Sequence, residues 1–180
     1  MTSAALTVVE EGRQLSYTFD DLMAYHGGGF PGGVAHGFKV MQRALPLLCP
    51  EGAPERREIR VRTSFTGPGA RDAFEIVTRA LTEERYVVDP DLARPERGRT
   101  LERYVFRLSY RDQSVTVMIR DGYVDDEFIA LSRQESRTPE EGDRLTLHKQ
   151  EMTKRLLAHP APDVYDAEPS LHVMTAPLRS

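Results

Sequence analysis

Ile59-Arg60-Val61-Arg62-Thr63-Ser64-Phe65-Thr66-Gly67-Pro68-Gly69-Ala70-Arg71-Asp72-Ala73-Phe74-Glu75-Ile76-Val77 changes its hydrophobic period midway, and that change decides the fold class. Ile59, Val61, Thr63 and Phe65 alternate as in a strand with one covered face. Ala70, Ala73, Phe74 and Val77 then recur at helical spacing, continued by Ala80 and Leu81. Between them Thr66 to Gly69 is a turn. Pro68 suits a first helical position, where its missing N–H costs no helical hydrogen bond. A strand feeding a helix in this way predicts an α/β (α+β) chain.

Towards the C-terminus, Tyr86 to Val88 reads as a short strand and the charged, proline-bearing stretch from Asp89 to Arg99 as a loop. Tyr104, Phe106, Leu108 and Tyr110 alternate with Val105, Arg107 and Ser109. After a polar turn from Arg111 to Ser114, Val115, Val117 and Ile119 complete a β-hairpin, the clearest sheet in the chain. Asp125 to Ser132 predicts a short helix. Glu140 to Ala158, with Leu145, His148, Met152 and Leu156 on one stripe, predicts a closing helix that ends before Pro160. Residues 1–158 therefore read as one domain holding a mixed or antiparallel sheet. Residues 159–180, with Pro160, Pro162, Pro169 and Pro177, read as an extended tail whose Leu171, Val173 and Met174 are free to dock on a neighbouring subunit.

Towards the N-terminus, Thr18, Asp20 and Asp21 precede Leu22, Met23 and Tyr25, a capped helix start that must stop at Gly27. Five glycines stand among the seven positions from Gly27 to Gly33, too many for a helix interior. Beyond them Val34, Phe38, Met41, Leu45 and Leu48 keep helical spacing until Pro46 and Pro50 interfere. The architecture expected is N-terminal helices joined by a Gly-rich loop, a sheet with a C-terminal hairpin, and a closing helix.

A length of 180 residues is that of one domain able to bury a core without covalent staples. The composition, 39% apolar and 29% charged, is globular, and no apolar run approaches the roughly 20 residues of a membrane span. No basic residue precedes the short apolar stretch at the start, as a secretory signal would require, and Cys49 is the only cysteine, so a reducing, cytoplasmic setting is expected. Net charge is −4 with the signs interspersed, which disfavours nucleic acid. Arg56, Arg57, Arg60 and Arg62 cluster, but the alternation with Ile59 and Val61 makes them the solvated face of a strand.

The glycine run carries the chemistry. Gly27, Gly28, Gly29, Gly32 and Gly33, with Phe30 between them, let backbone approach a ligand and offer amide N–H groups at a helix start, where an anion is favoured. Lys39 and Arg43 follow on the next helix. The run lacks the Gly-Lys-Ser/Thr of a P-loop and follows no hydrophobic strand. His26 closes the first helix and His36 opens the second, so the loop can fold them together as imidazole ligands or a proton-transfer pair. On a helical wheel His36 falls opposite the Val34, Phe38, Met41 and Leu45 stripe, on the side of Lys39 and Arg43. Asp20, Asp21 and Asp72 read first as capping carboxylates, His148 as a packing histidine and Cys49 as a helix-end hydrophobe.

The run Tyr25-His26-Gly27-Gly28-Gly29-Phe30-Pro31-Gly32-Gly33-Val34-Ala35-His36-Gly37, followed by a helix and then by Arg71-Asp72-Ala73-Phe74-Glu75-Ile76-Val77-Thr78, resembles the E-subunit family of formylmethanofuran dehydrogenase. Members of that family carry His-Gly-His, any residue, Cys-Pro-Gly, a helix and an Asp-Ala helix, and are regarded as metal-binding α/β proteins. The resemblance runs in order from about Thr18 to about Ile119. Gly28 stands where the family has its second histidine, and Phe30 where it has cysteine. No cysteine lies near Pro68 or Gly69. The resemblance implies a divalent metal such as zinc with His26 as the retained ligand and Asp72 at the acidic position; a rearranged site would recruit His36 as a further donor.

Three functions follow as expectations. The first is a metal-binding or formerly metal-binding accessory protein linked to one-carbon metabolism. The second is a metal-free module that binds a small anionic molecule at Gly27 to Gly33 with Lys39. The third is an acid/base enzyme built on His26. A homodimer is expected in each case, because it would cover both the tail and the polar side that holds His36.

Overall fold

A computed structural model describes residues 4–171. The chain opens with a hairpin, β1 (Leu6–Glu10) and β2 (Arg13–Tyr17), followed by α1 (Phe19–His26) and α2 (Pro31–Leu48). Next come β3 (Ile59–Thr63), α3 (Pro68–Thr78), β4 (Tyr86–Val88), β5 (Val105–Tyr110) and β6 (Gln113–Ile119). Then α4 (Asp126–Ser132), α5 (Pro139–Ala158), α6 (Ala161–Val164) and β7 (Tyr165–Leu171) close the described chain. The expected α/β class is found: helices pack on a five-stranded mixed sheet in the order β4-β3-β5-β6-β7, with β3 and β4 parallel and the other pairs antiparallel.

The period change at Thr66 works as read. Ile59, Val61 and Thr63 are buried while Arg60 and Arg62 face water, and Ala70, Ala73, Phe74 and Val77 point into the core. Thr18 caps α1 in a reciprocal box with Asp21, so that carboxylate is a capping group. The Thr18 backbone and hydroxyl hydrogen bonds hold the Asp21 carboxyl below its ordinary value. Thr138 and Glu141 cap α5 in the same way.

Four expectations are corrected. A hairpin precedes the expected N-terminal helices; Glu11 and Gly12 both take positive φ in its two-residue turn, as hairpin turns favour. The helix after the glycine run starts at Pro31, so Gly32 and Gly33 are its first turn and the loop proper is only residues 27–30. Pro46 lies inside that helix, exposed in its last turn, where a single backbone bond is lost. The extended tail from residue 159 is, as far as residue 171, a short helix and an edge strand paired along β6 from Gln113↔Leu171 to Ile119↔Tyr165. Val173 and Met174 lie outside the described residues.

This last strand explains α2. The helix lies between the sheet and α5, with α3 beside it, and Val34 to Met41 are buried on every side. His36, expected on the polar side, is fully buried, because α5 and β7 cover that side within the same chain. Lys39 and Arg43 reach the same covering layer. The Lys39 ammonium donates to the His159 carbonyl at 2.7 Å, and Arg43 Nε donates to the Tyr165 carbonyl at 3.1 Å.

The crossing of α2 and α3 depends on small residues. A Cβ on Gly69 would stand 2.5 Å from the Phe30 carbonyl oxygen and 2.8 Å from the Val34 nitrogen, and one on Gly37 would stand 2.8 Å from Ala73 Cβ. The two helix starts therefore meet in one place.

Candidate functional site

Both helices enter through proline and glycine, Pro31-Gly32 in α2 and Pro68-Gly69 in α3. Their N-caps, Phe30 and Gly67, supply no side-chain oxygen, and neither first turn contains an acidic residue. The contrast with the Thr-capped, acid-bearing starts of α1 and α5 is direct. First-turn amides and the positive ends of two helix dipoles are thus left uncompensated. Gly32, Gly33, Pro68 and Gly69 border a cavity of about 320 Å³.

The far wall is aromatic. The rings of His36 and Tyr104 lie 4.8 Å apart and those of Tyr104 and Phe65 4.9 Å apart, with Phe128, Ile129 and Met152 completing an apolar lining. Arg103, Arg133 and Lys149 stand around it, and no acidic residue lines it. Arg133 donates to the Arg99 carbonyl at 2.9 Å and lies 3.8 Å from Glu102. The Lys149 ammonium sits 4.6 Å over the exposed Phe30 ring, and burial, followed by the positive charge of Arg137, lowers its pKa. Tyr104 is 4% exposed, and among the described residues its hydroxyl has no hydrogen-bond partner. Burial raises the pKa of that hydroxyl, so it is a neutral donor facing the cavity.

His36 has both ring nitrogens engaged, with Tyr165 Oη 2.8 Å from Nδ1 and Met152 Sδ 3.4 Å from Nε2. A thioether only accepts, so Nε2–H donates to sulfur and the Tyr165 hydroxyl donates to Nδ1. Burial depresses the His36 pKa to about 3, which keeps the ring neutral.

His26 belongs to a different constellation. The Phe30 N–H donates to its Nε2 at 3.2 Å, which requires the tautomer whose Nδ1–H donates to Asp72 at 2.7 Å. His26 thereby ties the loop to α3 and leaves the first-turn amides of α2 free.

Of the residues singled out in the sequence, Phe30, Gly32, Gly33 and His36 line the cavity. Gly27, Gly28 and Gly29 do not; Gly27 is the α1 C-cap at φ +84°, and a Cβ on Gly28 or Gly29 would meet open space. Lys39 is also absent from the lining. Six residues beyond Gly33 it stands about 9 Å along the axis and some 240° around it.

The expected metal donors do not form one set. His26 and Asp72 bond each other, His36 bonds Tyr165 and Met152, and among the described residues no three His, Cys, Asp or Glu side chains come together as a metal site. Zinc held by three or four protein ligands does not fit this arrangement. Cys49 is the C-cap residue of α2, and Asp20 stands in the first turn of α1.

The sequence does not single out Arg103, Tyr104, Arg133 and Lys149, because three distant stretches of chain, the turn before β5, the end of α4 and α5, carry them to the site. One signal was present. The Pro-Gly entry at Pro31-Gly32 recurs at Pro68-Gly69, marking two helix starts of the same kind.

A groove of about 1100 Å³ lies elsewhere, between β1, the C-terminal half of α2 and the link from α5 to α6. It is larger, but the one lysine that lines it, Lys39, is already bonded to the His159 carbonyl. Among the described residues no helix is long and apolar enough to cross a membrane. No protein-family model matches the chain, and no curated protein matches it either.

Proposed function

We propose that this chain is a binding module for a small organic anion, held without metal where α2 and α3 begin. The observation that carries this is the pairing of two uncapped helix starts with Arg103, Arg133 and Lys149 around one acid-free cavity. The anionic group would sit against the first-turn amides and the cations. The Tyr104 hydroxyl offers one further donor, and the apolar lining formed by Phe65, Phe128 and Met152 suits a flat, hydrophobic body.

The test uses benzoate and phenyl phosphate as probes in the presence of a chelator, read by thermal unfolding. A ligand of the native state raises the midpoint by mass action. The rise should persist with chelator and vanish in the Arg103→Ala/Lys149→Ala variant. No rise with either probe, or a rise unchanged in that variant, would count against the assignment.

Metal binding of the kind found in the formylmethanofuran dehydrogenase family named above is a second proposal, supported by the order of the quoted motifs and by the His26–Asp72 pair, the carboxylate–imidazole arrangement that orients ligand histidines. It requires His26 Nε2 to leave the Phe30 N–H. Elemental analysis of untagged protein beside His26→Ala decides it: about one metal per chain, lost in the variant, supports it, and no metal in either retires it.

A further inference from the structure

The outer face of the sheet carries a second group of cations. Arg60 and Arg62 point outwards from β3, and Arg107 and Ser109 stand beside them on β5, with Arg60 opposite Ser109 and Arg62 directly opposite Arg107. Arg57, Arg85 and Arg111 close the rim of a trough of about 680 Å³ that these six arginines share with only two acidic residues, Glu58 and Glu84. Such a concentration stands out in a chain of net charge −4.

The rim is internally balanced, and of the three arginines on the floor only Arg62 has a carboxylate partner. Arg111 pairs with Glu58 at 2.7 Å, Arg57 with Glu10 at 2.6 Å and with Glu83, Arg85 with Glu83 at 2.6 Å, and Arg62 with Asp89 at 2.5 Å. Arg107 has only the Thr116 hydroxyl at 3.1 Å, and among the described residues Arg60 has no carboxylate partner. Like charges directly opposite on neighbouring strands destabilise a sheet. At the rim, burial first and then the charges of Arg60 and Arg57 pull the Arg85 guanidinium below its ordinary value.

We infer that this trough is a second anion site, distinct from the helix-start cavity, for a compact ligand carrying two or more phosphate groups. Neighbouring strands lie about 4.8 Å apart and alternate residues of one strand about 6.7 Å apart, so Arg60, Arg62 and Arg107 form a grid denser than one anionic group requires. Guanidinium forks match phosphate oxygens two at a time. The volume is that of a small-molecule site. The trough is lined by no aromatic ring, which removes the stacking platform that a single-stranded nucleic acid would use. The trough and the cavity share no lining residue.

Titration calorimetry with sodium tripolyphosphate tests the inference, with citrate and an oligothymidylate titrated in parallel. Tripolyphosphate should bind, more weakly as salt is raised. Arg60→Ala/Arg107→Ala should lower its affinity roughly tenfold or more, while Arg103→Ala/Lys149→Ala leaves it unchanged. Arg60→Gln, which breaks no ion pair, should leave the melting temperature unchanged or raise it while still weakening binding. Absence of tripolyphosphate binding would overturn the inference, as would binding lost only in the Arg103→Ala/Lys149→Ala variant. Equal affinity for citrate would overturn the phosphate assignment, and tight binding of the oligothymidylate alone would give the face to nucleic acid instead.

Discussion

His36 couples folding to acid. Its ring has an ordinary value of 6.5 and is held at about 3 in the folded chain by burial. Between those values the unfolded chain binds the proton and the folded chain does not, so stability is fully present above pH 6.5 and falls as the pH drops towards 3, by about 1.4 kcal/mol per unit. Denaturant unfolding across pH 7 to 4 should show this slope. His36→Gln, which keeps a polar partner for Tyr165, should flatten it, and an equal slope in both proteins would place the sensitivity elsewhere. His26 acts locally. His26→Ala removes the acceptor of the exposed Phe30 N–H and leaves Asp72 without its nearest partner, and should cost about 0.5–1.5 kcal/mol, read as a lower urea midpoint at unchanged slope.

Among the elements, the α2–α3 crossing sets the site. Gly69 has backbone atoms of Phe30 and Val34 where a Cβ would go, and backbone yields less readily than a flexible side chain. Gly69→Ala should therefore destabilise by about 1–3 kcal/mol and also weaken ligand binding, because it forces the two helix starts apart. Gly28→Ala meets open space, and its effect on stability should stay within about 0.5 kcal/mol. Equal effects of the two substitutions would mean that the glycines serve loop conformation and not the crossing. The period-2 and period-3.6 stretches were legible element by element because burial on one face leaves its mark in neighbouring residues, as in Ile59 to Thr63 and in Tyr104 to Ile119. The Leu6–Tyr17 hairpin was equally written, in Leu6 and Val8 against the Glu11-Gly12 turn, and went unread.

At the scale of the whole molecule, the last described strand completes the core. Val164 and Tyr165 are fully buried, and Tyr165 holds His36 from beyond the boundary expected at residue 158. A chain ending at Ala158 should lose cooperative unfolding, measured by near-ultraviolet circular dichroism and thermal melts; retention of a sharp transition would show that β7 is dispensable. This closure also accounts for the buried side of α2 without a second subunit. By itself the sequence determined the class, the period of the sheet and most helices, the cap at Thr18 and the Pro68 start, since each is a local pattern of a few consecutive residues. Tertiary structure alone decided that His26 and His36 part company, that Lys39 turns away, and that Arg103, Tyr104, Arg133 and Lys149 converge. Those relations join residues far apart in the chain, and only the packing of α2 against α3, α5 and β7 gives them a common neighbourhood.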